Sequence, residues 1–357
     1  MKKKLKKIFK KLLFYKTIVS VKLSFKKRHS AIENNGEYKK IELTPEEVKE
    51  YKDYWSVISK NANLKTAEIC KSFSGKFDKR IIPEEFFPLY LEPKLNSLSN
   101  ISFLENKSIY NKWFGMGIFP NCYFHKINGN YYDSQLNKID DIIAYIEALD
   151  INFPIVYKPN VDSYGGKDVY FLNSKNEIID KNKEFNNVVV QEKLVQHHSL
   201  NKIYSESINT IRVCLLRRPF NNEIVVLNAS LRMGKDGSLD NETAGGLVCN
   251  IDNNGFLNSY AINKLGQRFF KHPNSNVQFE NIIIENYPSL IQTSINIAEK
   301  LVFASLISLD MCLDNSGNWR CIEINLGGQT IRFSQYAGRP FFGEYTDEII
   351  KHIKNIK

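Results

Sequence analysis

The stretch 308-SLDMCLDNSGNWRCIEINLGG-328 places one acid inside a nearly uncharged strand and then, after a turn signal, returns with a glutamate and an asparagine two apart. A hairpin turning at Ser316-Gly317 predicts that Asp310 opposes Glu323, Ser308 opposes Asn325 and Cys312 opposes Cys321. All share one face, because strand side chains alternate. Leu309, Met311, Ile322 and Ile324 then take the other face and enter a core, and a one-residue slip would exchange the two faces. Two carboxylates and an amide oxygen are hard donors, the kind magnesium takes when it also holds phosphates, and two ions would account for the acid pair. The bland alternative is that both acids are ordinary polar positions on a solvated face, paired with Arg320 or Arg332.

Upstream, 156-VYKPNVDSYGGKDVYF-171 puts Lys158 at a strand end before a Gly165-Gly166 turn. A lysine there can neutralise phosphate charge while backbone amides approach unhindered by a Cβ. No G-x-x-x-x-G-K-[ST] or G-x-G-x-x-G pattern occurs. The next segment, 188-VVVQEKLVQHHSLNKIYSESINTIRVCLL-216, is a buried strand that ends in polar residues and leads to an arginine at the start of another strand. Main chain just past Gln191 can bond an adenine edge, and Arg212 can aim its fork at a phosphoryl group. Arg232, Asn241 and Gly245-Gly246 add a cation, an amide and a turn in the same neighbourhood.

The regular part of the chain supports an α+β body with mostly antiparallel pairing. An amphipathic helix, KIDDIIAYIEAL, starts at residue 138, and strands succeed it in FPIVYKP, DVYFL, NVVVQEKL, TIRVCLLRR, EIVVLNASLRM and GGLVCNID. A helix, YPSLIQTSINIAEKLVFA, precedes the final hairpin. Ahead of all this, Thr44-Pro45-Glu46-Glu47 is a helix start with a capping box, and Pro83, Pro88 and Pro93 break the chain between that helix and residue 100 into short pieces. The six cysteines form no C-x-x-C pair, which fits a reducing cytoplasm and argues against a zinc site.

The net charge of +10 is local. Twelve of the 49 basic residues lie within residues 1–28, which hold no acid, leaving 37 against the chain's 39 acidic residues. That balance makes nucleic acid an unfavoured partner for the body. In the tail, Leu5, Ile8, Phe9, Leu12 and Val19 share one helical face with lysines opposite, as in helices that lie on anionic membranes. A solubilising or RNA-binding arm is the alternative. The tail lacks a signal-peptide cleavage site and an uninterrupted apolar run long enough to span a bilayer.

Taken in order, the strand lysine with its glycine loop, VVQEKL, NTIRV, LDNETAGG and an Asp followed by Glu-x-Asn resemble the ATP-grasp superfamily, most closely its sugar-transfer associated branch. The resemblance covers residues 105–345. It implies an ATP-grasp fold with two α+β lobes clasping ATP: a nucleotide-covering lobe at about 151–200 and a metal and acceptor lobe at about 201–357. These lobes belong to a domain over 105–357, preceded by a helical region at 29–104 and the basic tail at 1–28.

The resemblance further implies that Lys158 and Lys112 contact the phosphates and that Ser163, Tyr164, Gly165 and Gly166 cover them. Gln191, Glu192, Lys193 and Leu194 would be the hinge reading adenine, with His197 near the ribose, and Asn241, Gly245 and Gly246 would add contacts to ATP. Arg212, Asn209 and Arg232 would act on the transferring phosphoryl group, while Asp310, Glu323 and Asn325 would hold two Mg2+ ions. Loops 214–246 and 326–345 are expected to line the acceptor site, with Arg332 and Arg339 available to an acidic sugar. The implied activity is a carboxylate–amine ligase working through an acyl phosphate, joining an amine to a uronic-acid sugar of a surface polysaccharide. The expected location is cytoplasmic, peripheral on the inner membrane face. A kinase acting on a sugar hydroxyl is the rival, and a membrane- or nucleic-acid-binding protein with a degenerate ATP site is a second.

Overall fold

In the computed structural model, which describes residues 2–36, 38–161, 167–237 and 245–356, the lysine-rich start is a single helix, α1 (Lys2–Glu33). Two more come next, α2 (Pro45–Trp55) and α3 (Lys65–Ser74). The Thr44 hydroxyl accepts from Glu47 N at 3.2 Å while the Glu47 carboxylate accepts from Thr44 N at 2.7 Å, so both halves of the expected capping box are made. Short helical turns then run from Phe87 to Phe114.

The first sheet has six antiparallel strands in the order β3-β2-β1-β6-β4-β5. They are β1 (Cys122–Ile127), β2 (Asn130–Asp133), β3 (Lys138–Ile139), β4 (Ile155–Pro159), β5 (Tyr170–Leu172) and β6 (Val188–Glu192). One face packs on α4 (Ile142–Ala148) and α5 (Lys175–Lys181) through Phe124, Ile155, Tyr157, Val190, Ile146 and Ile178. Alternation then turns Val156, Lys158 and Gln191 to the opposite face. The helix expected from residue 138 is shorter than its pattern: Lys138–Ile139 pairs with β2, and Asp141 caps α4 by accepting from Ile143 N and Ala144 N. The β1–β2 hairpin escaped the sequence reading although its turn, Asn128-Gly129, carries the positive φ angles of an Asn-Gly turn.

The second sheet has seven strands in the order β11-β10-β9-β8-β7-β12-β13. These are β7 (Thr210–Arg217), β8 (Ile224–Met233), β9 (Leu247–Ile251), β10 (Ala261–Ile262), β11 (Arg268–Phe269), β12 (Leu306–Leu313) and β13 (Trp319–Asn325). Helix α6 (Tyr287–Lys300) covers one face with Leu290, Ile297 and Ala298, against Ile211, Leu231 and Leu309.

The β12–β13 hairpin pairs Ser308 with Asn325 and Asp310 with Glu323, as the turn position predicts. Beyond that point the register shifts, and Met311 faces Cys321 while Cys312 faces Arg320. The expected Cys312–Cys321 pair is therefore wrong. The bulge leaves Ile322 outside the ladder, reverses the alternation on that strand, puts Cys321 in the core and turns Ile322 away from it.

The second sheet's other face is divided. At one end Arg212, Arg232 and Asp310 face the first sheet. At the other, Leu216 and Leu306 are covered by Tyr51, Trp55, Phe86 and Phe87 from the N-terminal region. Phe341, Phe342 and helix α7 (Thr346–Asn355) complete this second core. The N-terminal helices thus form the roof of half the sheet rather than a separate lobe.

Candidate active site

A cavity of about 1060 Å³ separates the two sheets. Its floor is built where strand geometry forces charged side chains onto one face. Asp310 on β12 lies between Arg212 on β7 and Glu323 on β13. Arg212 donates through Nε and Nη2 to the two Asp310 oxygens at 2.8 and 2.7 Å, and Arg232 Nη1 donates to Oδ2 at 3.1 Å. These guanidinium groups hold the Asp310 carboxyl well below the usual carboxylate range against the opposing effect of burial. The Asn325 amide donates to Asp310 Oδ2 at 3.3 Å. Glu323 pairs with Lys107, Nζ to Oε1, at 2.8 Å.

Lys107 is a residue the sequence reading missed. Its backbone N–H donates to the carbonyl of Asn160, just past β4, which brings its side chain beside Lys158. Burial and the neighbouring Lys107 cation lower Lys158 to about 8, with Glu323 pulling the other way. On the cavity floor Lys107, Lys158, Arg212 and Arg232 face Asp310 and Glu323, and Lys193, Glu192 and Glu206 also line the cavity. The site carries a local excess of positive charge that suits a polyanion.

Apolar side chains also line the cavity: Val156, Val169 and Phe171 of the first lobe, Leu194 of the connecting segment and Ile322 of the second lobe. Gln191, Glu192 and Lys193 border it, and main chain past Glu192 lies beyond the last β4–β6 pair. The Glu192 carboxylate is already engaged, accepting from Arg320 Nη2 at 2.9 Å and from Asn121 N at 2.8 Å.

Residues 88–347 match the family model described as sugar-transfer associated ATP-grasp. The chain belongs to the sugar-transfer associated ATP-grasp family. No curated protein matches its sequence. Solved ATP-grasp structures similar to it include the L-amino acid ligase from Bacillus licheniformis, at 11% identity and a TM-score of 0.42 over 71% of this chain and 49% of that one. The N5-carboxyaminoimidazole synthetase from Staphylococcus aureus complexed with ADP gives 13%, 0.42, 68% and 52%. The VanG D-Ala:D-Ser ligase from Enterococcus faecalis gives 14%, 0.41, 71% and 63%. The chain thus spans between 49% and 63% of the length of these three proteins.

Within this ATP-grasp chain, several expected site residues stand elsewhere. Lys112 is exposed and donates to the Gln135 carbonyl at 3.2 Å, outside the cavity, and Lys107 occupies the place beside Lys158. Asn209 is fully buried beneath the hinge, its amide donating to Gln196 Oε1, Leu200 O and Tyr204 O. It ties Gln196 to Leu200 and Tyr204 and does not line the cavity. His197 caps the turn His198–Asn201 and sits 3.3 Å from Glu285, also away from the cavity lining. Arg332 is buried over the Phe333 ring and Arg339 is exposed, and neither lines the cavity. Gly245 and Gly246 lead into β9 without lining it. Ser163, Tyr164, Gly165, Gly166 and Asn241 lie outside the described residues.

The donor set matches magnesium in its chemistry. Asp310, Glu323 and Asn325 converge from opposed positions of one hairpin and offer only oxygen once the Asn325 amide is turned over. Hard oxygen donors fit magnesium, and the one thiol among the described lining residues, Cys214, is held by Ser308 Oγ at 3.1 Å and kept protonated by burial.

Proposed function

We propose that this protein is an ATP-dependent ligase that activates a carboxylate as an acyl phosphate and passes the acyl group to an amine. The observation that carries this reading is the cation-rich cavity between the lobes, with Lys107, Lys158, Arg212 and Arg232 set around the Asp310–Glu323 pair. Phosphoryl transfer needs aligned positive charge more than covalent help, and this arrangement supplies it. The triphosphate would lie along Lys107 and Lys158, with the adenine in the slot between Leu194, Phe171 and Ile322. Magnesium, held by Asp310, Glu323 and Asn325, would supply the countercharge that balances the phosphate oxygens. Arg212, released from Asp310, would face the γ-phosphate. A carboxylate oxygen of the acceptor then attacks the γ-phosphorus, ADP leaves, and the amine displaces phosphate from the acyl carbon. The family's link to sugar transfer supports a carboxylated sugar, such as a uronic acid of a surface glycan, as the acceptor.

One observation favours a second reading. The cavity wall beyond Arg232 is neutral, built from Asn228, Ser230, Asn250, Thr330 and Ser334 with Phe333 beside them, and the two arginines expected for an acidic sugar do not line it. Amides and hydroxyls of this kind suit a polyol, and a kinase transferring the γ-phosphoryl group to a sugar hydroxyl would use the same floor.

One assay separates the two. With ATP, magnesium, a uronic-acid saccharide and hydroxylamine, the ligase reading expects ADP and an acyl hydroxamate, both lost in Arg212→Ala. A phosphorylated sugar with no hydroxamate establishes the kinase instead.

A further inference from the structure

Helix α1 has two apolar faces, not one. Counting about 100° per residue, Ile18, Val21, Phe25 and Ile32 lie within one arc that faces the body. That side is docked: Ile32 is fully buried in the N-terminal core, the His29 ring meets Glu84 at 3.0 Å, Arg28 reaches Glu84 at 3.4 Å and Lys65 bonds Glu33 at 2.6 Å. Phe9, Leu12, Val19 and Leu23 occupy the roughly opposite arc and are exposed, Phe9 and Leu12 by 63% and 58%. Exposed Lys16 and Lys27 lie within that outer stripe, while exposed Lys22 and Lys26 flank it on the side of Glu33 and Glu85. Phe9, Leu12 and Val19 share the expected face, the side chains of Leu5 and Ile8 lie outside the described ones, and the expectation that only lysines stand opposite is corrected. From Ile18 onward the side opposite the stripe is attached to the protein.

We propose that the outer stripe of α1 seats the protein on an anionic lipid surface, with the inner face fixing how the cavity is presented to it. Two features select lipid over other occupants. A polyanionic nucleic acid would pair with the lysines but leave four large apolar side chains in water, whereas the boundary between headgroups and acyl chains takes both. A second copy would bring two acid-free runs of twelve cations together, so like charges oppose self-pairing. No described helix is long and apolar enough to cross a membrane, so α1 lies along the surface.

The test is co-sedimentation of the full-length protein with vesicles of phosphatidylcholine alone or mixed with phosphatidylglycerol, with Leu12→Glu/Leu23→Glu as the variant. The expected result is binding at least about tenfold tighter to the anionic vesicles, weakened about tenfold or more in the variant. The variant's melting temperature stays unchanged, because both side chains are exposed on the arc opposite the docked face. Equal binding to both vesicle types overturns the proposal, as does a variant that binds like the wild type. A wild-type dimer that the variant converts to monomer, with no vesicle binding, assigns the stripe to a second copy instead. Binding of an RNA oligonucleotide in place of vesicles also overturns it.

Discussion

Lys158 is a lysine whose charge is conditional. Burial and Lys107 lower it to about 8, so in the free protein it loses its proton as pH rises through that value. A bound triphosphate favours the protonated form and raises the pKa again, so binding above pH 8 must take up a proton. Nucleotide affinity is therefore expected to hold steady below about pH 8 and to fall by up to about tenfold per unit above it. Calorimetry in buffers of different ionisation enthalpy reads the proton uptake directly. Asp310 carries the opposite sign of dependence: its depressed pKa contributes stability above the ordinary carboxylate range, lost as pH falls through the folded value. Replacing it with asparagine leaves Arg212 and Arg232 without their countercharge. That is expected to lower stability by about 2 kcal/mol, discounted because the pair borders the cavity, as read by denaturant melts. Both residues were legible in sequence because each sits in a strand with a charged interruption. Lys107 was not, since its short helical turn carries no periodic signal and its partner, Glu323, is far away along the chain.

In the hairpin β12–β13, alternation is readable only as far as the ladder is regular. The turn at Ser316-Gly317 has Gly317 at φ +81°, and Asp314 Oδ1 accepts from Ser316 N and Asn318 N, so the turn lies where its residues predict. Counting outward gave Asp310–Glu323 and Ser308–Asn325 correctly and failed between them and the turn, where one extra residue shifts β13. A bulge has no period of its own, and nothing in Cys-Ile-Glu marks it. The shift moves Ile322 from the core face to the cavity lining. A core isoleucine cut to alanine costs about 2–5 kcal/mol, so Ile322→Ala separates the alternatives. The expected outcome is a stability loss below about 1.5 kcal/mol with weakened nucleotide binding, measured by melts and titration on the same samples. The asparagine at position 96 acts on the same hairpin from outside. Its amide donates to Leu306 O and Leu326 O and its oxygen accepts from Ser305 N and Leu306 N, tying the strand ends together.

On the scale of the whole molecule, the family match begins at residue 88, yet the core roofing the second sheet takes Tyr51, Trp55, Phe86 and Phe87 from before it. A chain truncated to begin at residue 88 is expected to lose cooperative unfolding, since each large buried aromatic removed costs about 3–5 kcal/mol against a total stability of about 5–15 kcal/mol. The sequence reading treated this region as a separate helical piece because its contacts to β7 and β12 are long-range and no local pattern announces them. The two-lobed frame itself was legible, because strand order and the spacing of charged interruptions survive without knowledge of packing. Titration of a non-hydrolysable ATP analogue, with and without magnesium, asks whether the cation-lined floor is a magnesium–nucleotide site. One equivalent is expected to bind with magnesium-enhanced affinity, weakened at least about tenfold by Lys158→Ala and made insensitive to magnesium by Glu323→Gln. No binding by the wild type, or binding that both variants leave intact, would contradict that reading.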